Sequence, residues 1–220
     1  MSDDRDILVA AVTGHHPYDV IGFTRAFRSI EGAECFIMNM EDWNLAPKAV
    51  RQDYDVVVFY NMHMKLPPVE SPPGLESGVR GMIDDLGETA QGIIVLHHAI
   101  LAYPDSEAWT EMVGIKDRGF GYYLDQTVTY DIADPSHPIT AGMSSWTMPD
   151  ETYTMTNAGE GCHVILITEH EPSMRTIAWT RHYRNSRVLC FQCGHDNGAY
   201  SNASFREVLA RGVRWCAGRL

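Results

Sequence analysis

Short apolar runs, separated by stretches with helical periodicity, dominate the first half of the chain. Residues 7–13, 34–40, 55–60 and 92–96 predict strands, and continuous runs rich in Val and Ile are typical of strands buried in a parallel sheet. Apolar side chains at positions 20, 23, 27 and 30 predict a helix, and a weaker pattern predicts another over residues 75–87. A third helix is expected to begin at a cap, Asp105 or Ser106, and to end before Gly114.

The second half of the chain has a different pattern. Polar and apolar residues alternate over residues 128–132 and turn-forming residues follow, so residues 118–160 predict an insertion packed over the sheet. Strands return at 164–168, 176–183 and 187–193, and Ser204 and Glu207 have capping-box spacing at the start of a final helix. This order predicts a single α/β domain over residues 1–220. It would contain a three-layer, doubly wound, mostly parallel sheet, with the insertion after the central strand–helix unit.

The amino-acid composition limits which binding partners and which cellular location are expected. The 220 residues are 45% hydrophobic and 21% charged with a net charge of −12, which argues against a nucleic-acid partner and against an anionic membrane surface. No apolar run reaches the ~20 residues of a membrane-spanning helix, and the acidic start does not resemble a signal peptide, so a cytoplasmic location is expected. Five cysteines without framework spacing predict no disulfide scaffold.

Polar residues follow four of the predicted strands at the point where each strand ends. They are His15, His16 and Tyr18, then Asn61 and His63, then His97 and His98, and finally His195 and Asp196. The carboxyl ends of parallel strands share one edge of a sheet, where ligands collect in folds of this class. We therefore expect these side chains to surround one site, with His63 as an ordinary loop residue.

Two chemistries fit a cluster of histidines at such an edge. Neutral imidazole is a common zinc ligand, so His16, His97, His98 and His195 are candidate ligands for zinc or another divalent metal. Alternatively, a histidine can act as acid or base beside a carboxylate such as Glu151 or Asp196. The sequence contains no G-x-S-x-G, no G-x-G-x-x-G after the first strand and no P-loop, which argues against a serine hydrolase and against nucleotide binding.

Several short segments, in this order, resemble one family across nearly the whole chain. The segments lie at residues 12–16, 53–58, 96–99, 134–140, 150–153, 178–181, 194–195 and 215–218. They are similar to the ThuA-like, or trehalose-utilisation, family of the class I glutamine-amidotransferase-like superfamily. The resemblance implies a flavodoxin-like fold and a role in carbohydrate metabolism.

The same resemblance bears on the chemistry. Amidotransferases carry a cysteine nucleophile in the turn after the central strand, and His97 occupies the similar position here, while His195 resembles their partner histidine. Histidine cannot form the thioester, so glutamine hydrolysis is not expected. The first hypothesis is an enzyme acting on a sugar or keto-sugar derivative, with His97, His195 and Glu151 as catalytic residues. Its substrate-binding residues would be His16, Tyr18, Asn61, His98, Trp179, Arg181 and Asp196.

The second hypothesis is a non-catalytic ligand-binding or assembly protein on an amidotransferase-like scaffold, because fold does not imply function. The expected partner is a small-molecule carbohydrate ligand. Self-association into a homo-oligomer stays open in either case.

Overall fold

A computed structural model describes residues 5–66 and 79–220. Nine strands form one sheet in this part of the chain, in the order β2-β1-β3-β4-β9-β8-β7-β5-β6. They are β1 (Ile7–Gly14), β2 (Ala33–Asn39), β3 (Val56–Asn61), β4 (Gly92–Leu96), β5 (Gly121–Ile132), β6 (Trp146–Thr154), β7 (His163–Ile167), β8 (Thr176–Tyr183) and β9 (Ser186–Phe191).

Helices connect and cover the strands. They are α1 (Val20–Arg28), α2 (Met40–Leu45), α3 (Lys48–Gln52), α4 (Val79–Asp85), α5 (Glu107–Val113), α6 (Asn197–Tyr200) and α7 (Ala203–Cys216), with a 3₁₀ helix at His97–Leu101. Residues 75–78 of the predicted second helix lie outside the described residues. Among the described residues, no helix is long and apolar enough to cross a membrane.

The prediction of a mostly parallel sheet is not confirmed. Strands β2, β1, β3, β4 and β9 pair in parallel, but the pairings from β9 through β8, β7 and β5 to β6 are all antiparallel. A two-residue connection between β8 and β9 causes the change, because a parallel pair needs a crossover of a dozen or more residues. The α/β class and the layered arrangement are as expected.

The parallel half of the sheet is buried on both faces. Every residue of β3 and β4 is buried, as their continuous apolar runs predict. Residues of α1 and α7 pack against one face, and residues of the 3₁₀ helix and α5 pack against the other. Two such layers of apolar side chains hold the strand ends in fixed positions, so the loops that follow them form a stable edge.

The predicted insertion at residues 118–160 is built mainly from the hairpin of β5 and β6. These strands pair along most of their length, and β5 joins the main sheet only through Asp131 and Ile132, which pair with β7. The last residues of β6 reach back to the ends of β4 and β9, where the backbone oxygen of Glu151 accepts a hydrogen bond from the Gln192 amide at 3.0 Å. The hairpin therefore brings new side chains to the carboxyl edge of the parallel strands.

Helix caps agree with the sequence at one helix and differ at another. Ser106 caps α5 by accepting from the Trp109 N–H, and Gly114 ends it with a φ of 80°. The prediction that Ser204 begins the final helix is wrong, because Asn202 caps α7 by accepting from the Phe205 N–H. All five cysteines are free, and Cys190 and Cys193 are buried, which fits the expectation of no disulfide scaffold.

Candidate active site

His97 occupies a sharp turn directly after the central strand. Its φ of 53° lies in the left-handed region, which costs a residue with a side chain roughly 1–2 kcal/mol. The ring is fully buried, and its Nδ1–H donates a hydrogen bond to the Gln192 carbonyl at 2.6 Å. The strained turn and this hydrogen bond direct the other ring nitrogen, Nε2, towards the end of β6.

Glu151 lies between two histidines from different strand ends. One of its carboxylate oxygens, Oε2, is 3.0 Å from Nε2 of His97 and 3.1 Å from Nδ1 of His195. The two imidazole nitrogens are themselves 3.3 Å apart. The three residues named as catalytic from the sequence therefore meet, although 54 positions separate His97 from Glu151 and 98 separate the two histidines.

Tyr153 completes this group and was not predicted from the sequence. Its hydroxyl donates to Oε2 of Glu151 at 2.7 Å and lies 2.9 Å from Nε2 of His97. Residues two apart on a strand point to the same face, so Tyr153 had to accompany Glu151 once β6 was recognised as a strand. The hydroxyl supplies a third hydrogen bond to the same carboxylate oxygen.

A second set of buried groups holds the loop that carries His195. The carboxylate of Asp150 accepts from the backbone N–H of Gly194 and of His195, each at 3.0 Å. From the other side, the hydroxyl of Tyr60 lies 2.8 Å from the Gly194 carbonyl and 2.6 Å from the hydroxyl of Tyr200. These contacts hold the backbone at His195, while the hydrogen bond to Glu151 holds its ring.

Electrostatics favour a charged pair at this centre. The hydrogen bond to Glu151 raises the pKa of His195 above its usual 6.5, in spite of burial, which acts in the opposite direction. Burial alone would raise the pKa of Glu151, but hydrogen bonds from His195, His97 and Tyr153, together with the charge of His97, outweigh it and hold the pKa well below 4.5. Near neutral pH, Glu151 is therefore ionised.

Other predicted residues lie around the same edge. The ring of His16 is 4.3 Å from that of His98 and 5.7 Å from that of His195, measured between centroids. His98 is fully buried with neither ring nitrogen in a hydrogen bond, and burial holds its pKa well below 6.5. The Tyr18 hydroxyl contacts Thr13 at 3.4 Å, and Asn61 is fully buried beside His63.

Three predicted substrate-binding residues have their own surroundings in the structure, apart from the Glu151 group. Trp179 is fully buried and donates its indole N–H to the Val113 carbonyl at 2.8 Å, so it has no free face on which a sugar could stack. Arg181 lines a separate groove of about 820 Å³ next to α5. Asp196 caps α6 by accepting from the Gly198 N–H. Of these three residues, only Asp196 was expected from its strand-end position, whereas Trp179 and Arg181 lie within β8.

Among the residues that the structure describes, two groups of side chains could hold a metal ion. One contains His97, Glu151 and His195, and the other contains His15, Glu41 and His63; in each, the ligand atoms lie within 4.8 Å of one another. The sequence expected four histidine ligands, but neither group includes His16 or His98. Glutamate replaces them as a ligand in both groups.

The fold and this geometry can be compared with known proteins. The family described as trehalose utilisation, ThuA, matches residues 7–216. The chain belongs to this family. A search of curated proteins finds no match.

Solved structures with the same fold are distant in sequence. A ThuA-like protein from Parabacteroides merdae is 16% identical with a TM-score of 0.73, over 97% of this chain and 90% of the other. A cytoplasmic protein from Salmonella typhimurium is 11% identical with a TM-score of 0.64, over 94% and 98% of the two chains. A glutamine amidotransferase from Thermotoga maritima is 8% identical with a TM-score of 0.55, over 97% and 99%. At these identities the likeness concerns the fold, and family membership gives a carbohydrate-related role.

Proposed function

We propose that this ThuA family member is an enzyme that moves a proton on a sugar or keto-sugar, with His195 as the acid or base. The observation that carries the proposal is the shared carboxylate oxygen of Glu151, at 3.0 Å from His97 and 3.1 Å from His195. A buried carboxylate that orients a histidine and favours its charged form is a recurring arrangement in acid–base catalysis.

The two histidines have different access to a ligand. The side chain of His195 is 24% exposed, whereas that of His97 is fully buried. Because Nδ1 of His195 faces Glu151, its Nε2 is the nitrogen left to exchange a proton with a substrate oxygen or carbon. His195 is thus the catalytic residue of the proposal, and His97, Glu151 and Tyr153 are positioning residues that hold its ring and its charge.

The substrate class is proposed from the family and from the residues near the turn at His97, which do not supply a nucleophile for glutamine hydrolysis. The trehalose-utilisation family points to a carbohydrate. Histidine at position 97 cannot form a thioester, and Cys193 is fully buried with its thiol pKa raised well above 9.0 by burial, so neither residue offers a nucleophile for glutamine hydrolysis. Proton transfer beside a carbonyl, or to a hydroxyl, requires only the acid–base group that this centre contains.

A metal-assisted form of the reaction is the second candidate, and one observation favours it. Two ligands of a tetrahedral zinc ion, each about 2.0–2.1 Å from the metal, are roughly 3.3 Å apart. The three atoms at this centre are 3.0, 3.1 and 3.3 Å apart. His97 also donates its second ring N–H to a backbone carbonyl, as metal-bound histidines usually do.

Turnover and binding measured together would test the proposal. The purified protein is mixed with trehalose, other disaccharides and their keto derivatives, and product formation and calorimetric binding are followed for the wild type and for His195→Gln. We expect the variant to bind the same sugar but to convert it about 10²–10⁴-fold more slowly. Equal rates in both proteins would refute the role of His195, and binding without conversion by the wild type would favour the non-catalytic alternative.

Metal analysis of the same protein distinguishes a metal-free reaction from a metal-assisted one. In the metal-free form, activity survives exhaustive chelation. In the metal-assisted form, chelation abolishes it and one equivalent of zinc or a similar ion restores it. A cytoplasmic location is also proposed, supported by the structural similarity to the cytoplasmic protein from Salmonella typhimurium.

A further inference from the structure

We propose a divalent-metal site, separate from the Glu151 centre, formed by His15, Glu41 and His63. These three residues follow three different strands: β1 ends at Gly14, α2 begins directly after β2, and β3 ends at Asn61. Their ligand atoms lie within 4.8 Å of one another. Two imidazoles and one carboxylate are the ligand set of several catalytic zinc and non-haem iron sites.

The site lies where the sheet changes its direction of growth. The chain passes from β1 to β2 on one side and then returns to place β3 on the other side of β1. Ligands of doubly wound folds bind in the crevice at such a switch point, outside the carboxyl ends of the strands. His15 and His63 come from the two strands that flank this crevice, and their ring centroids are 4.0 Å apart.

The backbone at Gly14 lies close to the ring of His63. Gly14 has a φ of 144°, and a Cβ added there would come 3.0 Å from the His63 ring. Its carbonyl accepts the Met62 N–H at 2.9 Å, and the His63 carbonyl accepts the Tyr103 N–H at 2.7 Å. His15 adopts a φ of 56°, an uncommon conformation for a residue with a side chain. The turn after β1 therefore holds the imidazole of His15 next to that of His63 in a strained backbone conformation.

A buried amide supports the same assignment. Asn61 is fully buried, its side-chain nitrogen lies 3.2 Å from Nδ1 of His63, and its side-chain oxygen has no hydrogen-bond partner. A half-turn of the amide would place that oxygen against Nδ1–H of His63 and leave Nε2 with a free lone pair. This is how metal-bound histidines are oriented by their neighbours.

The carboxylate of Glu41 differs from that of Glu151 in its hydrogen bonds. Glu151 already accepts hydrogen bonds from two histidines and a tyrosine. In the part of the chain that the structure describes, no hydrogen bond or ion pair joins His15, Glu41 and His63 to one another. Glu41 and His15 are also exposed, which leaves room for water or a substrate oxygen on the ion. An ion here supplies the attraction that the three side chains lack.

Binding of Co²⁺ and Zn²⁺ to the metal-free full-length protein tests the site. Co²⁺ binding is followed by its visible absorption and Zn²⁺ binding by calorimetry, for the wild type, Glu41→Gln, Asp42→Asn and Glu151→Gln. Asp42 is the matched control, an exposed carboxylate on the next residue of the same helix. We expect Glu41→Gln to weaken one binding event at least tenfold and Asp42→Asn to leave it unchanged.

Glu151→Gln distinguishes the two centres, because it leaves Glu41 intact. The proposed site predicts that this variant keeps the binding event that Glu41→Gln weakens, whatever happens at a second one. Absence of Co²⁺ and Zn²⁺ binding to the wild type would overturn the proposal. So would an affinity that is unchanged in Glu41→Gln, and neither result depends on whether the proposed sugar reaction occurs.

Discussion

Replacing Glu151 by glutamine removes the charge at the candidate active site and keeps the shape of the side chain. The carboxylate oxygen accepts three hydrogen bonds, from His97, His195 and Tyr153. A hydrogen bond to a charged group contributes about 1.5–3 kcal/mol and a neutral one about 0.5–1.5 kcal/mol, so each bond loses roughly 1 kcal/mol. Because the neutral amide is easier to bury, we expect the free energy of unfolding to fall by about 1–3 kcal/mol rather than by the full sum.

The protonation of His195 should change in the same variant. The Glu151 hydrogen bond is the main reason that the pKa of His195 is raised, so the pKa should fall when the charge is removed. Titration of the histidine ring signals by NMR measures this change directly, and denaturant unfolding measures the stability. Asp196→Asn is the matched control, since Asp196 is an exposed carboxylate next to His195 and makes a smaller contribution to its pKa. An unchanged His195 pKa in Glu151→Gln, or an equal fall in the control, would refute the reasoning.

Four further predictions concern the Glu151 centre and the turns that hold it. The lowered pKa of Glu151 stabilises the fold above pH 4.5, and this stability is lost as pH falls; the raised pKa of His195 stabilises it below pH 6.5, and this stability is lost as pH rises. Unfolding measured at a series of pH values should therefore show the full contribution of the pair between about pH 4.5 and 6.5 in the wild type, but not in Glu151→Gln. In chemical denaturation, His97→Gly should be about 0.5–1 kcal/mol more stable than His97→Ala, because glycine avoids the strain of a φ of 53° and its greater entropy in the unfolded chain offsets only part of that gain. Equal stabilities of the two variants would contradict the strained turn. Asp150→Asn should lower the unfolding free energy by about 1–3 kcal/mol, since an amide can no longer accept from the backbone N–H groups of both Gly194 and His195, and an unchanged denaturation midpoint would show that the carboxyl group does not hold the loop. Arg118→Lys should cost about 2–4 kcal/mol in the same assay, because the buried guanidinium donates to three backbone carbonyls after the His97 turn; a loss below 1 kcal/mol would contradict this role.

Local patterns in the sequence were enough to place the parallel strands and one edge of the site. The continuous apolar runs of β3 and β4 required burial on both faces, and polar residues directly after such strands had to share an edge. His97 and His195 could be predicted for this reason. Glu151 was assigned from the family resemblance and from its carboxylate chemistry, and the structure brings it into contact with both histidines.

The antiparallel half of the sheet and the groups around the site depend on long-range contacts. The sequence analysis predicts no strand over β6, so neither the position of Tyr153 beside Glu151 nor the contact of Asp150 with the His195 loop could be derived from it. The sequence predicts that His63 is an ordinary loop residue. Its proximity to Glu41 cannot be derived from local patterns, because Glu41 belongs to a helix that follows another strand. Trp179, expected from the sequence to bind a sugar, is fully buried in the structure, because an aromatic residue on a strand is as easily part of the core as of a binding site.

The central claim is that His195 transfers a proton on a sugar or keto-sugar, and hydrogen exchange with solvent tests it most directly. A keto-disaccharide that binds the protein is incubated in D₂O with the wild type and with His195→Gln, and NMR follows deuterium incorporation at the carbon beside the carbonyl. The account predicts incorporation by the wild type that falls about 10²–10⁴-fold in the variant while sugar binding is retained. Equal incorporation in both proteins, or none in the wild type with the sugar bound, would contradict it.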